Sequence, residues 1–134
     1  MGASPSRKRT VLDSQFGSGT PATWYVGAAL ILPSPDGTGW TEVTAGNYAR
    51  VAFTNNVTNW PAATSLGEVT SKKNGTKVTY ANPNATWGNV VGWLLFLASS
   101  GGSPEFWGPN DAALNPKSGN TPVEFDVNQL IITL

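Results

Sequence analysis

The sequence contains neither cysteine nor histidine among its 134 residues. The first absence excludes disulfides and thiolate metal sites, and the second removes the commonest general base and metal ligand. Charged residues make up only 12% of the chain, with eight basic and eight acidic side chains. This share is about half that of an average globular protein. Because the net charge is zero and no basic stripe is present, we expect no nucleic-acid surface. Because the sequence has no histidine, no cysteine and no acid–base constellation, we expect no metal, no cofactor and no enzymatic activity.

The abundant residues point to β-structure. Fifteen glycines and ten prolines interrupt short apolar runs, which is typical of strands joined by turns. Residues 48–54 alternate with the period of a strand, and residues 90–98 are almost continuously apolar, as in a central strand buried on both faces. Further strands are predicted near residues 24–32, 66–71, 77–81, 106–107, 123–125 and 130–134. We therefore predict an all-β protein, with one antiparallel β-sandwich or jelly-roll-like domain over residues 21–134.

Two turns help to define the order of these strands. Asn74-Gly75 predicts a tight hairpin between the strands at 66–71 and 77–81, since both residues tolerate positive φ. The segment 115–120, which contains proline and glycine, is predicted as a second turn.

Residues 1–20 are predicted to form an N-terminal arm, extended except for one or two helical turns over residues 10–16 that Gly17 and Gly19 would end. Three basic residues at positions 7–9 give the first ten residues a charge of +3, and the rest of the chain carries −3. A basic arm on a mildly acidic body is typical of a tether to an acidic surface. We expect six residues of the arm to contact a partner: Arg7, Lys8, Arg9, Val11, Leu12 and Phe16.

The sequence indicates neither a membrane partner nor a catalytic centre. The basic start is not followed by the apolar segment of a secretory signal, and the longest apolar run, residues 90–98, is too short to cross a bilayer. Most carboxylates lie beside turns, and Glu124 and Asp126, which share a strand face, are typical of a solvated face. Asn110-Asp111 is isolated, which favours an Asx turn over a calcium site.

Six tryptophans are spread along the chain, and two interpretations apply to them. Four adjoin a glycine, which is a frequent way to pack a ring over bare backbone in a β-protein. This favours core or interface roles, whereas stacking of exposed indoles on sugar rings is the alternative. The residues are Trp24, Trp40, Trp60, Trp87, Trp93 and Trp107.

Several short motifs follow one another in a characteristic order along residues 11–134. They include Ala22-Thr23-Trp24-Tyr25-Val26-Gly27, Gly39-Trp40-Thr41-Glu42-Val43, Gly46-Asn47-Tyr48-Ala49-Arg50-Val51, Trp87-Gly88-Asn89-Val90-Val91-Gly92-Trp93 and Leu130-Ile131-Ile132-Thr133-Leu134. In this combination they resemble a family of small virion proteins of tailed bacteriophages, usually labelled phage tail fibre protein. The resemblance implies a non-enzymatic structural protein, made in the host cytoplasm and carried on the surface of the phage particle.

Two positions on the particle fit this resemblance. Capsid decoration proteins are small β-rich domains with terminal arms, and they stabilise the head because they bind only the assembled shell. We therefore expect a capsid decoration protein, whose partners are the major capsid protein and neighbouring copies of itself. The alternative is a tail fibre or baseplate-associated protein that attaches to the host, with or without glycan binding, and has tail proteins as partners.

Overall fold

The computed structural model describes residues 2–117 and 123–134, and within them every strand pair is antiparallel. Its elements are α1 (Pro5–Gln15), β1 (Thr23–Ile31), β2 (Thr41–Glu42), β3 (Val51–Thr54), β4 (Thr64–Leu66), β5 (Val69–Lys73), β6 (Val78–Thr79), β7 (Val90–Phe96), β8 (Phe106–Leu114), β9 (Glu124–Phe125) and β10 (Ile131–Thr133). The all-β prediction is confirmed. The turn predicted over residues 115–120 lies partly outside the described residues.

The largest sheet, sheet A, has five strands in the order β2-β1-β7-β8, with β3 also paired to β1. β1 and β7 run side by side through it, with Val26 opposite Leu95. Six of the seven residues of β7 are buried, which confirms the prediction of a strand covered on both faces. One face contributes to the main core and the other to a smaller cluster around Phe96.

Two smaller sheets complete the structure: sheet B, in the order β10-β5-β4, and sheet C, formed by β6 and β9. Apolar side chains from all three sheets pack in one core. They include Trp24 and Trp93 of sheet A, Ile132 of sheet B, and Val78 and Phe125 of sheet C. The apolar residues thus lie between the sheets, as expected of a layered β-protein.

The structure differs from the prediction at the N-terminus, where the eleven-residue helix α1 stands in place of an extended arm. The hydroxyl of Ser4 accepts the backbone N–H of Arg7 at 3.2 Å, and Pro5 begins the helix, a position that proline favours. The N–H of Phe16 donates to the carbonyl of Leu12 at 2.9 Å and closes the last turn. Both of these apolar residues are buried in the main core, and this packing stabilises a helix that would be too short to persist alone.

The predicted hairpin at Asn74-Gly75 is wrong. β5 pairs with β4 and β10, whereas β6 pairs with β9 in another sheet. The buried carboxamide of Asn74 accepts the N–H of Leu130 at 2.9 Å and donates to the carbonyl of Asp126 at 2.9 Å. These long-range hydrogen bonds make Asn74 a junction between segments, and the two-residue turn of a hairpin lies instead at Gly67-Glu68, between β4 and β5.

Candidate interaction surfaces

The basic residues of the predicted arm lie on a docked helix. The ammonium group of Lys8 donates to the backbone carbonyl of Glu68 at 2.9 Å, and Arg9 Nη1 donates to Ser65 Oγ at 2.8 Å. Both acceptors belong to the β4–β5 hairpin, so these two side chains hold the helix against it. Arg7 is exposed. The three basic residues therefore lie on a helix that is packed against the β4–β5 hairpin, and not on a free tether.

The three apolar residues of the predicted arm fall into two groups. Val11 is 46% exposed, whereas Leu12 and Phe16 are 3% and 0% exposed. The Phe16 ring centroid lies 4.9 Å from those of Trp60 and Phe106. Leu12 and Phe16 belong to the core of their own chain and are not available to a partner, which corrects their assignment. Sequence reasoning missed this because apolar residues on a short helix fit either role.

An ion pair between a buried lysine and a half-exposed aspartate, which sequence reasoning also missed, holds the same helix. Lys72 of β5 has a side chain only 2% exposed, and its ammonium group donates to Asp13 Oδ1 at 2.7 Å. The same oxygen accepts the backbone N–H of Ala63 at 2.8 Å. Desolvation opposes ionisation of Asp13, but the hydrogen bonds from Lys72 and Ala63, together with the nearby positive charge, outweigh it and lower the pKa of Asp13 below its ordinary value. Asp13 and Lys72 are 59 positions apart, so no local pattern in the sequence predicts that they pair.

This ion pair makes stability sensitive to acid. Because folding lowers the pKa of Asp13, its contribution is present above the ordinary value of 3.8 and is lost as the pH falls through the lower value of the folded state. We expect the stability difference between the wild type and Asp13→Asn to shrink as the pH falls from neutrality through this range, measured by urea unfolding. A difference that stays constant with pH would contradict the ionised pair.

The tryptophans divide by burial. Four indoles are no more than 3% exposed, namely Trp24, Trp60, Trp87 and Trp93, and two are partly exposed, Trp40 and Trp107. The ring of Trp93 lies over Gly108, where a Cβ would come within 2.5 Å of the indole, so this close approach requires glycine. Ring surface for stacking on a sugar is therefore left at Trp40 and Trp107.

A second charged cluster lies over Phe96, in the smaller apolar cluster of sheet A. Arg50 Nη2 donates to Glu42 Oε1 at 2.8 Å and Arg50 Nε to Glu42 Oε2 at 2.9 Å, a two-pronged contact. The hydroxyl of Tyr48 donates to the same carboxylate. Burial is the larger cause that raises the pKa of Tyr48, and this hydrogen bond raises it further. Arg50 also donates to the carbonyls of Ala98 and Gly101, both at 2.8 Å. The cluster thus fixes the loop that follows β7.

Two further acidic side chains have polar or basic partners. Asp111 accepts a hydrogen bond from Gln129 at 2.6 Å, and Glu124 lies 3.5 Å from Lys77. Among residues 2–117 and 123–134, no three histidine, cysteine, aspartate or glutamate side chains are placed to hold a metal ion. In that same part of the chain, no helix combines the length and apolar character needed to cross a membrane.

Two exposed apolar features stand out on the surface. The first, the hairpin tip, comprises residues 66–69 of the β4–β5 hairpin; its paired side chains Leu66 and Val69 are 89% and 55% exposed. The second, the edge groove, has a volume of about 390 Å³ and is lined by residues 105–109 and 131–134. β8 and β10 are at the ends of the described strand orders of sheets A and B. The groove therefore lies between two edge strands, which are common sites of protein contact.

Charge is distributed unevenly between these features. Helix α1 and residues 64–73 together carry five basic and two acidic side chains, a net charge of +3, whereas the rest of the chain carries −3. Arg7 and Lys8 lie on the helix that packs against the hairpin, and Glu105 lines the groove. The hairpin tip thus carries Glu68 and lies beside the more numerous basic residues of α1, while the edge groove carries the acidic Glu105.

Comparison with protein families places the chain among the structural proteins of bacteriophage particles, because residues 3–133 match a model of phage fibre proteins. The matching model describes the family of the podophage GP4 fiber I protein gp80, and the chain belongs to this family. The resemblance to phage tail fibre proteins is thereby confirmed, and the protein is a virion component. Comparison with curated proteins finds no match.

Proposed function

We propose that this protein is a component of a fibre of a podophage particle and takes part in attachment to the host. The observation that carries the proposal is the family match over residues 3–133. Since the family is described as a fibre protein, it supports the fibre alternative better than capsid decoration. The role is a structural one, in which the chain binds other proteins and catalyses no reaction.

The contacts within the chain support such a role. The Lys72–Asp13 pair holds helix α1 on sheet B, and the Arg50–Glu42 pair holds the loop after β7. Both give a rigid domain, which binds without the entropic cost of ordering a free arm. The hairpin tip and the edge groove remain exposed for partners, which we place among other tail proteins and neighbouring copies of this protein.

Immunogold electron microscopy of intact particles tests the position. With an antibody against this protein, we expect gold on the fibres, and an antibody against the major capsid protein serves as the control for labelling of the head. Gold spread over the head would contradict the fibre proposal and support capsid decoration.

An adsorption assay tests the role in attachment. Purified protein added in excess is expected to reduce the fraction of phage that adsorbs to host cells, because it competes for the same host surface. Heat-unfolded protein at the same concentration is the control. Unchanged adsorption, together with gold on the fibres, would contradict the attachment role and leave the position in the fibre standing.

A further inference from the structure

The hairpin tip presents a pair of aliphatic side chains to solvent. Leu66 and Val69 are directly opposite each other in the β4–β5 ladder, so they project from the same face of the hairpin. Ser65 precedes Leu66 in β4 and points to the opposite face of the hairpin, where Arg9 donates a hydrogen bond to its hydroxyl. Single exposed apolar residues are ordinary on a protein surface, but two that project together from a turn form a compact apolar knob.

The edge groove has the shape and the lining to receive such a knob. Its volume of about 390 Å³ lies in the lower part of the range of about 300–1,000 Å³ that is typical of binding pockets. Ile131 and Leu134 line it with 40% and 49% of their surfaces exposed, and Trp107 adds an aromatic wall. Two aliphatic side chains that enter the groove would cover this apolar surface.

The charges beside the two features are complementary. Arg7 and Lys8 lie near the N-terminus of α1, whose first turn contains no acidic residue, so both oppose the helix dipole. Lys8 is held at the tip by the carbonyl of Glu68. The groove carries Glu105 and belongs to the part of the chain with a net charge of −3. The tip itself contains Glu68, but the basic side chains of α1 beside it outnumber this one carboxylate, so an acidic neighbour would offset the remaining basic charge.

We infer that the hairpin tip of one copy of this chain binds in the edge groove of a second copy. Leu66 and Val69 enter the groove, and Arg7 and Lys8 face Glu105. Each copy has one tip and one groove, so every copy can both give and receive this contact. The inference goes beyond a position in a fibre, because it assigns the surfaces through which copies of the protein associate.

Sedimentation velocity of the full chain over a range of concentrations tests the contact. Wild type is expected to self-associate, and Leu66→Asp at the tip or Glu105→Arg in the groove is expected to raise the dissociation constant about tenfold or more. Val57→Asp is the matched control, since Val57 is 71% exposed and lies in neither feature; it should leave association unchanged. The replaced side chains are exposed, so all variants should melt close to the wild type.

A mixing experiment provides a second readout. Leu66→Asp retains an intact groove and Glu105→Arg an intact tip, so an equimolar mixture should associate where neither variant does alone. Wild type that stays monomeric at millimolar concentration, an equal effect of Val57→Asp, or a mixture without association would each overturn the inference. A monomer whose groove binds glycan or another tail protein would also overturn it, while gold on the fibres would still support the proposed function.

Discussion

Replacing Phe16 with alanine is expected to lower the free energy of unfolding by about 3–5 kcal/mol, the usual cost of truncating a buried phenylalanine. The ring is 0% exposed and its centroid lies within 5.4 Å of those of Trp24, Trp60 and Phe106. Removal of the ring leaves a cavity between the end of the helix, sheet A and the loop that joins β3 to β4. Thermal unfolding followed by circular dichroism measures the loss, which corresponds to a melting temperature lower by roughly 10–20 °C.

Val11→Ala is the matched control for this prediction. Val11 lies on the same helix but is 46% exposed, so its truncation should change stability by no more than about 0.5 kcal/mol. If Phe16→Ala were as mild as Val11→Ala, the N-terminal segment would not be part of the core. It would then behave as the free arm predicted from the sequence.

Replacing Glu42 with alanine is expected to lower the free energy of unfolding by a similar amount, about 3–5 kcal/mol. The side chain of Arg50 is only 5% exposed, and it would remain buried without the carboxylate that accepts two of its hydrogen bonds. Tyr48 would lose the acceptor of its hydroxyl as well. Urea unfolding at neutral pH measures the change.

A double-mutant cycle separates the ion pair from the loss of packing. Arg50→Met removes the charge and keeps an unbranched side chain over the ring of Phe96, from which the guanidinium carbon lies 3.3 Å. The double variant Glu42→Ala/Arg50→Met should be less destabilised than the sum of the two single variants, since it leaves no buried charge unpaired. Additive effects would show that Glu42 and Arg50 do not stabilise each other.

The docked helix changes which surfaces are available for assembly. An extended arm would have reached a partner through Leu12 and Phe16, but both lie in the core. The surfaces that we propose for contact are the hairpin tip, the edge groove and the exposed charges of the helix. The chain belongs to a fibre family. Association of folded copies through such surfaces is consistent with a fibre that is built from separately folded chains.

Local patterns in the sequence were sufficient for the class of fold. The apolar run at residues 90–98 predicted β7 as a strand buried on both faces, and β7 is buried there. Four tryptophans adjoin a glycine in the sequence, but the glycine under the ring of Trp93 is Gly108 of β8, its partner across the β7–β8 ladder. A strand buried on both faces depends on residues within that strand, so spacing and residue type suffice to indicate it, whereas a contact between strands depends on their pairing.

Only the tertiary structure showed which strands pair and where the N-terminal helix packs. Asn74-Gly75 has the local chemistry of a hairpin turn, yet its hydrogen bonds to Leu130, 56 positions away, place β5 and β6 in different sheets. Phe16 and Asp13 lie in a segment whose composition is typical of an exposed arm. In the structure, distant aromatic rings pack against Phe16, and Lys72 forms an ion pair with Asp13. The sequence by itself therefore determined an all-β chain with its central strand and its phage family. The docking of the helix, the strand order and the exposed contact surfaces depend on the packing of residues far apart in the chain, which local propensity does not encode.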